Sequence, residues 1–462
     1  MNSKDRVLHP LTVLNDIISN EMCVGCGVCT TQTDTADTFN MQWDERGFLV
    51  PNLRDITHLS QKSIEVCPFN PYPADEVKTE DQLADIFLSE APNKSRKIGH
   101  YYRTYVGYAE QFRLTSSSGG IASYITYTLL KSGFVNAVLS VTAGKEGEEY
   151  YTYNIITDKE QVLKNSKTRY FPVSMSEVLK KLPSIEGKVA IVGIPCFIKS
   201  IRLNQYYNPE LKDKIAFLIG IVCGGMKSRF FSEYLASKAG VDPTKFSKPA
   251  FREKDLNSYA MDYSFSCEDE KSNVHRIKMS EVGDMWGTGF FKNNACDFCD
   301  DVAAELADIS LGDAWIDPYN KDGAGTNVII TRSALADQLI REGVESGKLL
   351  VESLKEERFI QSQQGGYNHR HTGMKYRIRL LRRHTQTLPP KRLDKQRIPF
   401  AFQWVQRMRV MIRKQSLELW QMEPNAHSFD RNIRHSLEKL RLYTRIYHAI
   451  QRLKGMVYNI VK

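Results

Sequence analysis

Two near-continuous apolar runs, Lys188-Val-Ala-Ile-Val-Gly193 and Lys214–Cys223, are bounded by turn residues and predict strands buried on both faces. Further strands are predicted at Tyr102–Tyr108, Phe134–Thr142, Tyr150–Thr157, Ala307–Leu311 and Asn327–Thr331. Helical periodicity marks Ile121–Ser132, stopped by Gly133, then Met175–Leu182 and Ser333–Glu345. Helices and strands intermixed in this way predict a mixed α/β body starting near Lys97. Ahead of it, Phe39–Trp43, the turn Asp44–Gly47 and Phe48–Pro51 read as a short hairpin. Beyond Pro389-Pro390 two helical segments are predicted, 398–421 and 429–458. In the second, Ile433, Leu437, Leu440, Tyr443, Tyr447, Ile450, Leu453 and Val457 recur every three or four residues as one apolar stripe, flanked by Arg434, Arg441, Arg445 and Arg452. No repeat at solenoid spacing is visible.

The pattern divides the chain into a cysteine-bearing lobe (1–70), a polar connector with one helix (71–98), two parts of the α/β body (99–185 and 186–360) and a helical tail (361–462). Charge sharpens the last boundary. The 462 residues carry a net charge of +9, yet residues 374–462 alone hold 21 Lys and Arg against 5 Asp and Glu, which leaves the remainder mildly acidic. The tail therefore reads as a unit with its own partner or surface. A basic amphipathic helix could dock on an anionic membrane surface or on an acidic redox protein such as a ferredoxin, or its stripe could pack on the body. Nothing else in the chain resembles a nucleic-acid module, so no nucleic-acid partner is expected. The longest apolar run, Ile215–Cys223, is too short to span a bilayer, and the start leads into no apolar signal core. The expected location is cytoplasmic, with peripheral membrane contact open through the tail.

Nine cysteines, at 23, 26, 29, 67, 196, 223, 267, 296 and 299, are an odd number in a long chain and point to ligands rather than a disulfide framework. Cys23-Val-Gly-Cys26-Gly-Val-Cys29 sets three thiols at two-residue intervals with glycines between, and Cys67-Pro68 follows later. Soft thiolates at this spacing suit an iron–sulfur cluster, whereas zinc sites more often come as two separated pairs. A standard ferredoxin run would place its next cysteine at position 33, which is Thr33, so Cys67 is the expected fourth ligand of a single 4Fe–4S cluster. A second set consists of Cys196 and Cys223, each at a strand end, and the Cys296-Asp-Phe-Cys299 pair. Spacing alone leaves open a second cluster, buried core thiols, or a Cys-x2-Cys pair that is redox-active or binds zinc. Cys267 has no partner in sequence.

The loop Thr115-Ser116-Ser117-Ser118-Gly119-Gly120 precedes a helix and offers hydroxyls and free backbone N–H groups, a suitable phosphate seat or an ordinary serine-rich cap. Lys167, Arg169 and Tyr170 could likewise meet phosphates or form a solvated face. The glycine fingerprint of dinucleotide-binding folds is absent, as is any serine–histidine–acid arrangement for hydrolysis. His369 and His371, the one close histidine pair, read as a surface loop, and no catalytic residue is assigned.

In order along the chain, Cys23–Cys29 with Cys67-Pro68, Thr115–Gly120, Lys167-Thr-Arg-Tyr170, Gly193-Ile-Pro-Cys196, Cys223-Gly-Gly225, Cys296–Cys299 and Asp308-Ile-Ser-Leu-Gly-Asp-Ala-Trp315 resemble the coenzyme F420 (deazaflavin) hydrogenase/dehydrogenase beta-subunit family. The likeness covers roughly 20–355, and the N-terminal spacing is closer to its chlorophyll-reductase and bacterial branches than to the methanogen hydrogenase subunits. The resemblance implies FAD and one or more 4Fe–4S clusters. Cys196, Cys223, Cys296 and Cys299 would hold the flavin-side cluster, and residues 115–120 and 167–170 would line the flavin or substrate pocket. It implies an oxidoreductase that relays electrons between a two-electron donor or acceptor at the flavin and a one-electron partner, a ferredoxin or another subunit. The alternative is a non-catalytic metal-binding scaffold or electron-transfer subunit accessory to another enzyme, for instance in polysaccharide biosynthesis.

Overall fold

The computed structural model describes residues 9–32, 39–54, 56, 58–144, 149–164, 166–382, 388–393 and 397–461. Eight strands form the main sheet: β1 (Arg103–Ala109), β2 (Ala137–Ala143), β3 (Tyr151–Ile156), β4 (Val189–Gly193), β5 (Ile215–Ile221), β6 (Ile309–Asp313), β7 (Asn327–Thr331) and β8 (Leu349–Ser353). Their spatial order is β8-β1-β7-β6-β5-β4-β2-β3. The central strands β2, β4, β5 and β6 run parallel, and antiparallel pairs close both flanks.

Both faces of this sheet are covered, as the continuous apolar runs require. On one face α1 (Ile121–Lys131) and α3 (Ala334–Glu345) pack Ile125, Leu129, Leu339 and Ile340 against Val138, Phe217, Ile219 and Ile329. On the other, α2 (Pro195–Tyr207) lays Phe197, Ile198 and Ile201 over Leu139, Ile191 and Leu218. The N-terminal cysteine loop belongs to this second core, where Val24, Cys26, Val28 and Cys29 are buried with the α2 residues. The connector supplies its one helix, Glu80–Phe87, closed by a Thr79–Gln82 capping box.

The hairpin of Met41–Trp43 with Leu49–Pro51 forms as expected. A three-stranded antiparallel sheet, Ser247–Glu253, Ser264–Glu268 and Val274–Lys278, escapes the sequence reading. Its first pairing is interrupted by register shifts and its last strand is largely polar, so neither shows clean alternation.

The two helices expected beyond Pro389-Pro390 form as α4 (Phe400–Met422) and α5 (Ala426–Val461), but they do not stand apart. Phe402, Val405, Ile412, Trp420, Phe429 and Ile433 share one core with Phe231, Tyr234, Phe251 and Phe291. Leu437, Tyr443 and Tyr447 continue that contact, whereas Ile450 and Leu453 are exposed, so among the described side chains the stripe packs on the body only as far as Tyr447. No helix among the described residues is long and apolar enough to cross a membrane.

Candidate functional site

Ligands of open α/β sheets bind beyond the carboxyl ends of the parallel strands, and a cavity of about 1080 Å³ lies there. Val192 and Gly193 reach it from the end of β4, Ile221 from β5 and Leu311–Asp313 from β6. Ser116, Ser117, Ser118 and Gly120 line it, as do Lys167, Arg169 and Tyr170. The two loops are joined directly, since the Thr168 N–H donates to Ser117 Oγ at 2.8 Å. Gly120 starts α1 at φ +82°, and a Cβ there would meet the backbone of Phe112 at 2.8 Å. Thr115 and Gly119 lie outside the lining. Thr115 is exposed and donates to Phe112 O, and Gly119 packs against Asn327.

Sequence reading missed much of the opposite wall. Trp286 stands 4.9 Å from Tyr170 in an edge contact, and Lys227 Nζ lies 4.6 Å over its ring. Burial and neighbouring Lys292 lower Lys227 to about 7. Arg252 pairs with Asp313 at 2.8 Å. Each of these comes from the small sheet or the irregular segments around it, where no spacing signals chemistry.

Cys223, Met226 and Arg370 line this cavity and also a narrower one, which Cys196, Cys296 and Cys299 complete. Cys196 sits in the first turn of α2 just past β4, Cys223 follows β5, and Cys296 and Cys299 lie in and after a short turn of helix at Asn294–Phe298. The structure thus brings together the four cysteines of the second set. Burial raises the Cys196 thiol well above its ordinary range, with Cys299, Cys223 and Cys296 adding to the effect, and raises Cys299 to about 12. The Met226 N–H donates to Cys296 Sγ at 3.2 Å. The buried Arg370 guanidinium reaches Cys299 Sγ at 3.6 Å while donating to Asp301 O at 2.5 Å.

The first set also converges. Cys29 is raised by burial and by Cys26, Cys23 and Cys67 together. Gly25 and Gly27 turn the loop at φ +71° and +77°, and the Gly25 N–H donates to Cys23 Sγ at 3.4 Å. The two sets adjoin: Val24, next to Cys23, and Phe69, two residues after Cys67, line the cavity of the second. Asn293 Nδ2 donates to Cys23 O at 2.9 Å, tying the two loops. All nine cysteines are free, and Cys267 is buried in the aromatic core beside the small sheet. Among the described residues no three or more His, Cys, Asp or Glu side chains are grouped to hold a single metal ion.

The histidine pair is not a surface loop. His369 is buried, with Nε2 3.0 Å from Asp297 Oδ1 and 2.9 Å from Lys292 Nζ, and His371 Nε2 lies 2.8 Å from Asp300 O. Both sit on a π-helical turn, Asn368–Thr372, that also carries Arg370. Burial and the Arg377 and Lys292 charges hold His369 well below the ordinary histidine range.

The fold and site define a mixed α/β protein with a large cavity at the ends of its parallel strands and two adjoining thiol groups beside it. Two stretches match the family described as coenzyme F420 hydrogenase/dehydrogenase, beta subunit: residues 104–180 its N-terminal region and residues 186–357 its C-terminal region. Together they take in more than half of the chain, which belongs to this family. It is similar to the coenzyme F420-dependent sulfite reductase of Methanocaldococcus jannaschii, at 24% identity over 75% of this chain and 51% of that protein. It is also similar to the coenzyme F420 hydrogenase subunit beta of Methanothermobacter thermautotrophicus, at 25% identity over 52% of this chain and 80% of the relative. An F(420)H(2) dehydrogenase subunit from Methanosarcina mazei is 23% identical over 46% of this chain and 58% of its own length. The chain thus spans about half the length of the first of these relatives. A solved F420-reducing nickel–iron hydrogenase complex from Methanosarcina barkeri contains a chain that superposes with a TM-score of 0.49 at 17% identity, over 67% of this chain and 99% of that one, a likeness too loose to carry weight.

Proposed function

We propose that the chain is an oxidoreductase subunit that passes electrons between a flavin in the large cavity and a partner protein, through two 4Fe–4S clusters held by its two thiol sets. The observation that carries this reading is contiguity. Cys223 borders both the large cavity and the second thiol set, and Val24 borders that set from the first cysteine loop. A path from cavity to N-terminal loop therefore crosses no unrelated structure.

The residues suit the groups. The cavity of about 1080 Å³ admits a dinucleotide, with Ser116, Ser117, Lys167 and Arg169 placed for its phosphates and Tyr170 and Trp286 for a flat ring. Four thiols around a common void suit a polynuclear cluster, in which each sulfur binds a different iron. Backbone N–H groups directed at Cys23 and Cys296 would satisfy the sulfurs' remaining lone pairs. When bound, a flavin supplies the exchange between electron pairs and single electrons. The chain's own part is to fix the distances, exclude water and neutralise buried charge. The family relatives named for coenzyme F420 make that deazaflavin one candidate two-electron partner, and their subunit names make another subunit the natural one-electron partner. The N-terminal spacing of the bacterial branch and a cytoplasmic location accompany this reading.

Anaerobic purification with iron, sulfide, zinc and flavin analysis tests it. Iron and sulfide near eight each per chain, with flavin, is the expected result. Zinc in place of iron would sink the cluster assignment, and iron without flavin would favour the accessory-subunit alternative. Cys26→Ala should lose the iron of the first set and keep the flavin.

Membrane contact is a second partner reading, favoured by exposed Phe400, Trp404, Ile450 and Leu453 near exposed Arg441, Arg445 and Arg452. Flotation with anionic vesicles should carry the full chain upward, and Leu453→Glu should weaken that. Equal recovery with and without vesicles would exclude it.

A further inference from the structure

The thiol sets differ in the charge packed against them. Around the first, the Asp44 carboxylate acts on Cys23 and the Lys199 ammonium, itself paired with Glu80 at 2.9 Å, acts on Cys67. Around the second, the Arg370 guanidinium acts on Cys223, Cys296 and Cys299; Lys292 acts on Cys296 and Lys391 on Cys299, but these two are paired with Asp297 at 2.5 Å and Asp300 at 3.3 Å, and Asp300 and Asp301 oppose them at Cys299. Arg370 is 2% exposed, so water screens its charge little. It touches Cys299 Sγ at 3.6 Å and is anchored on Asp301 O at 2.5 Å, which aims one edge of the fork at the sulfurs. It also lies beyond residue 357, where the family-matched region ends.

We propose that Arg370 is a positioning and potential-setting residue that holds the cavity-side cluster at the higher reduction potential of the two. The inference rests on the cluster reading above. Reduction adds one negative charge to a cluster already anionic through its thiolates. A buried cation and a donor on the sulfurs stabilise that reduced state more than the oxidised one, and both raise the potential. The N-terminal set has backbone donors, but its Lys199 is paired with buried Glu80 at 2.9 Å, and among the described residues no guanidinium is seen on its sulfurs. An electron shared between the sets therefore resides beside the flavin cavity. The chain is biased to accept electrons at its N-terminal loop and store them next to the substrate, which is the arrangement of a reductase supplied by a one-electron donor.

The test is a potentiometric titration of the full chain, prepared anaerobically with iron and sulfide and followed by electron paramagnetic resonance. Two transitions are expected, the higher lost in Cys296→Ala and retained in Cys26→Ala. Arg370→Gln should move that transition to lower potential at unchanged iron content, leave the other in place, and be largely corrected in Arg370→Lys. If the higher transition is the one lost in Cys26→Ala, or if it stays put in Arg370→Gln with iron intact, the inference is overturned while the cluster reading survives. Should Arg370→Gln shed its iron, the cysteine variants alone decide the order. A chain that binds no iron overturns the underlying reading instead.

Discussion

Gly27 and Lys254 show how single residues hold the site together. Gly27 lies at φ +77°, and a Cβ there would run into Ser174 Oγ and the Ser176 backbone at 2.9 Å. Gly27→Ala should cost about 1–3 kcal/mol in strain alone, read as a lowered denaturant midpoint, with poorer iron retention alongside. Lys254 donates to the carbonyls of Arg113, Ser118 and Ala324, stapling the serine loop to the turn before β7. Burial and the charges of Arg252, Lys167 and Arg113 lower it from 10.5 to about 7. Between those values the unfolded chain binds more protons than the folded one, so this group's contribution to stability rises with pH. The stability of the wild type relative to Lys254→Met should therefore increase from pH 7 to pH 10 in paired urea titrations, and a constant difference would refute the shift. Glycines between cysteines are legible as a tight thiol-bearing loop because thiols and turns are rare and specific. Lys254 is not, since a lysine between Glu253 and Asp255 gives no hint that three distant carbonyls close on it.

At the scale of elements, legibility follows burial pattern. Strands β4 and β5, apolar throughout and closed by turns, are predicted to within two residues at each end. Helix α2 between them is not predicted at all. It is buried on nearly every side and keeps Lys199, Arg202, Asn204 and Gln205 inside, paired with Glu80 at 2.9 Å and Asp308 at 3.2 Å, so no amphipathic stripe survives. The tail helices are recognisable by their stripe, but what they pack on is hidden in the broken alternation of the small sheet. Trp420 makes that contact decisive. It is 1% exposed, meets Tyr234, Phe291 and Phe429, and donates from Nε1 to Glu233 at 2.8 Å. Trp420→Ala should cost about 3–5 kcal/mol in urea unfolding. Met422→Ala, two residues on and 73% exposed, should stay within about 0.5 kcal/mol.

Across the whole molecule, distant segments meet around the thiols through buried charge. Arg392 forks onto Glu305 at 2.7 and 3.0 Å and reaches Asp81 at 3.0 Å and Asp300 at 3.4 Å, joining connector, body and tail. Arg392→Met would strand the buried Glu305 and Asp300 carboxylates and should cost about 3–5 kcal/mol, visible as a lowered thermal midpoint and easier proteolysis of the tail. The family resemblance is readable in seven short motifs, yet none of them reports that the region after residue 357 completes the thiol pocket. That contribution is made by isolated arginines and histidines in a basic stretch, where composition reads as solvated surface.

The π-helical turn bearing Arg370 has a consequence in time as well as space. A chain is synthesised from its N-terminus, so all eight candidate ligands, up to Cys299, leave the ribosome before Arg370 exists. Until residues 368–377 arrive, the second thiol set lacks the Arg370 guanidinium and stays open on that side. The growing chain thus passes through a stage in which its thiols are present without Arg370, and the pocket closes on that side only once residue 377 has been made. Oxidation of nascent chains stalled before residue 368, compared with those stalled after residue 377 has cleared the ribosome, would expose that interval.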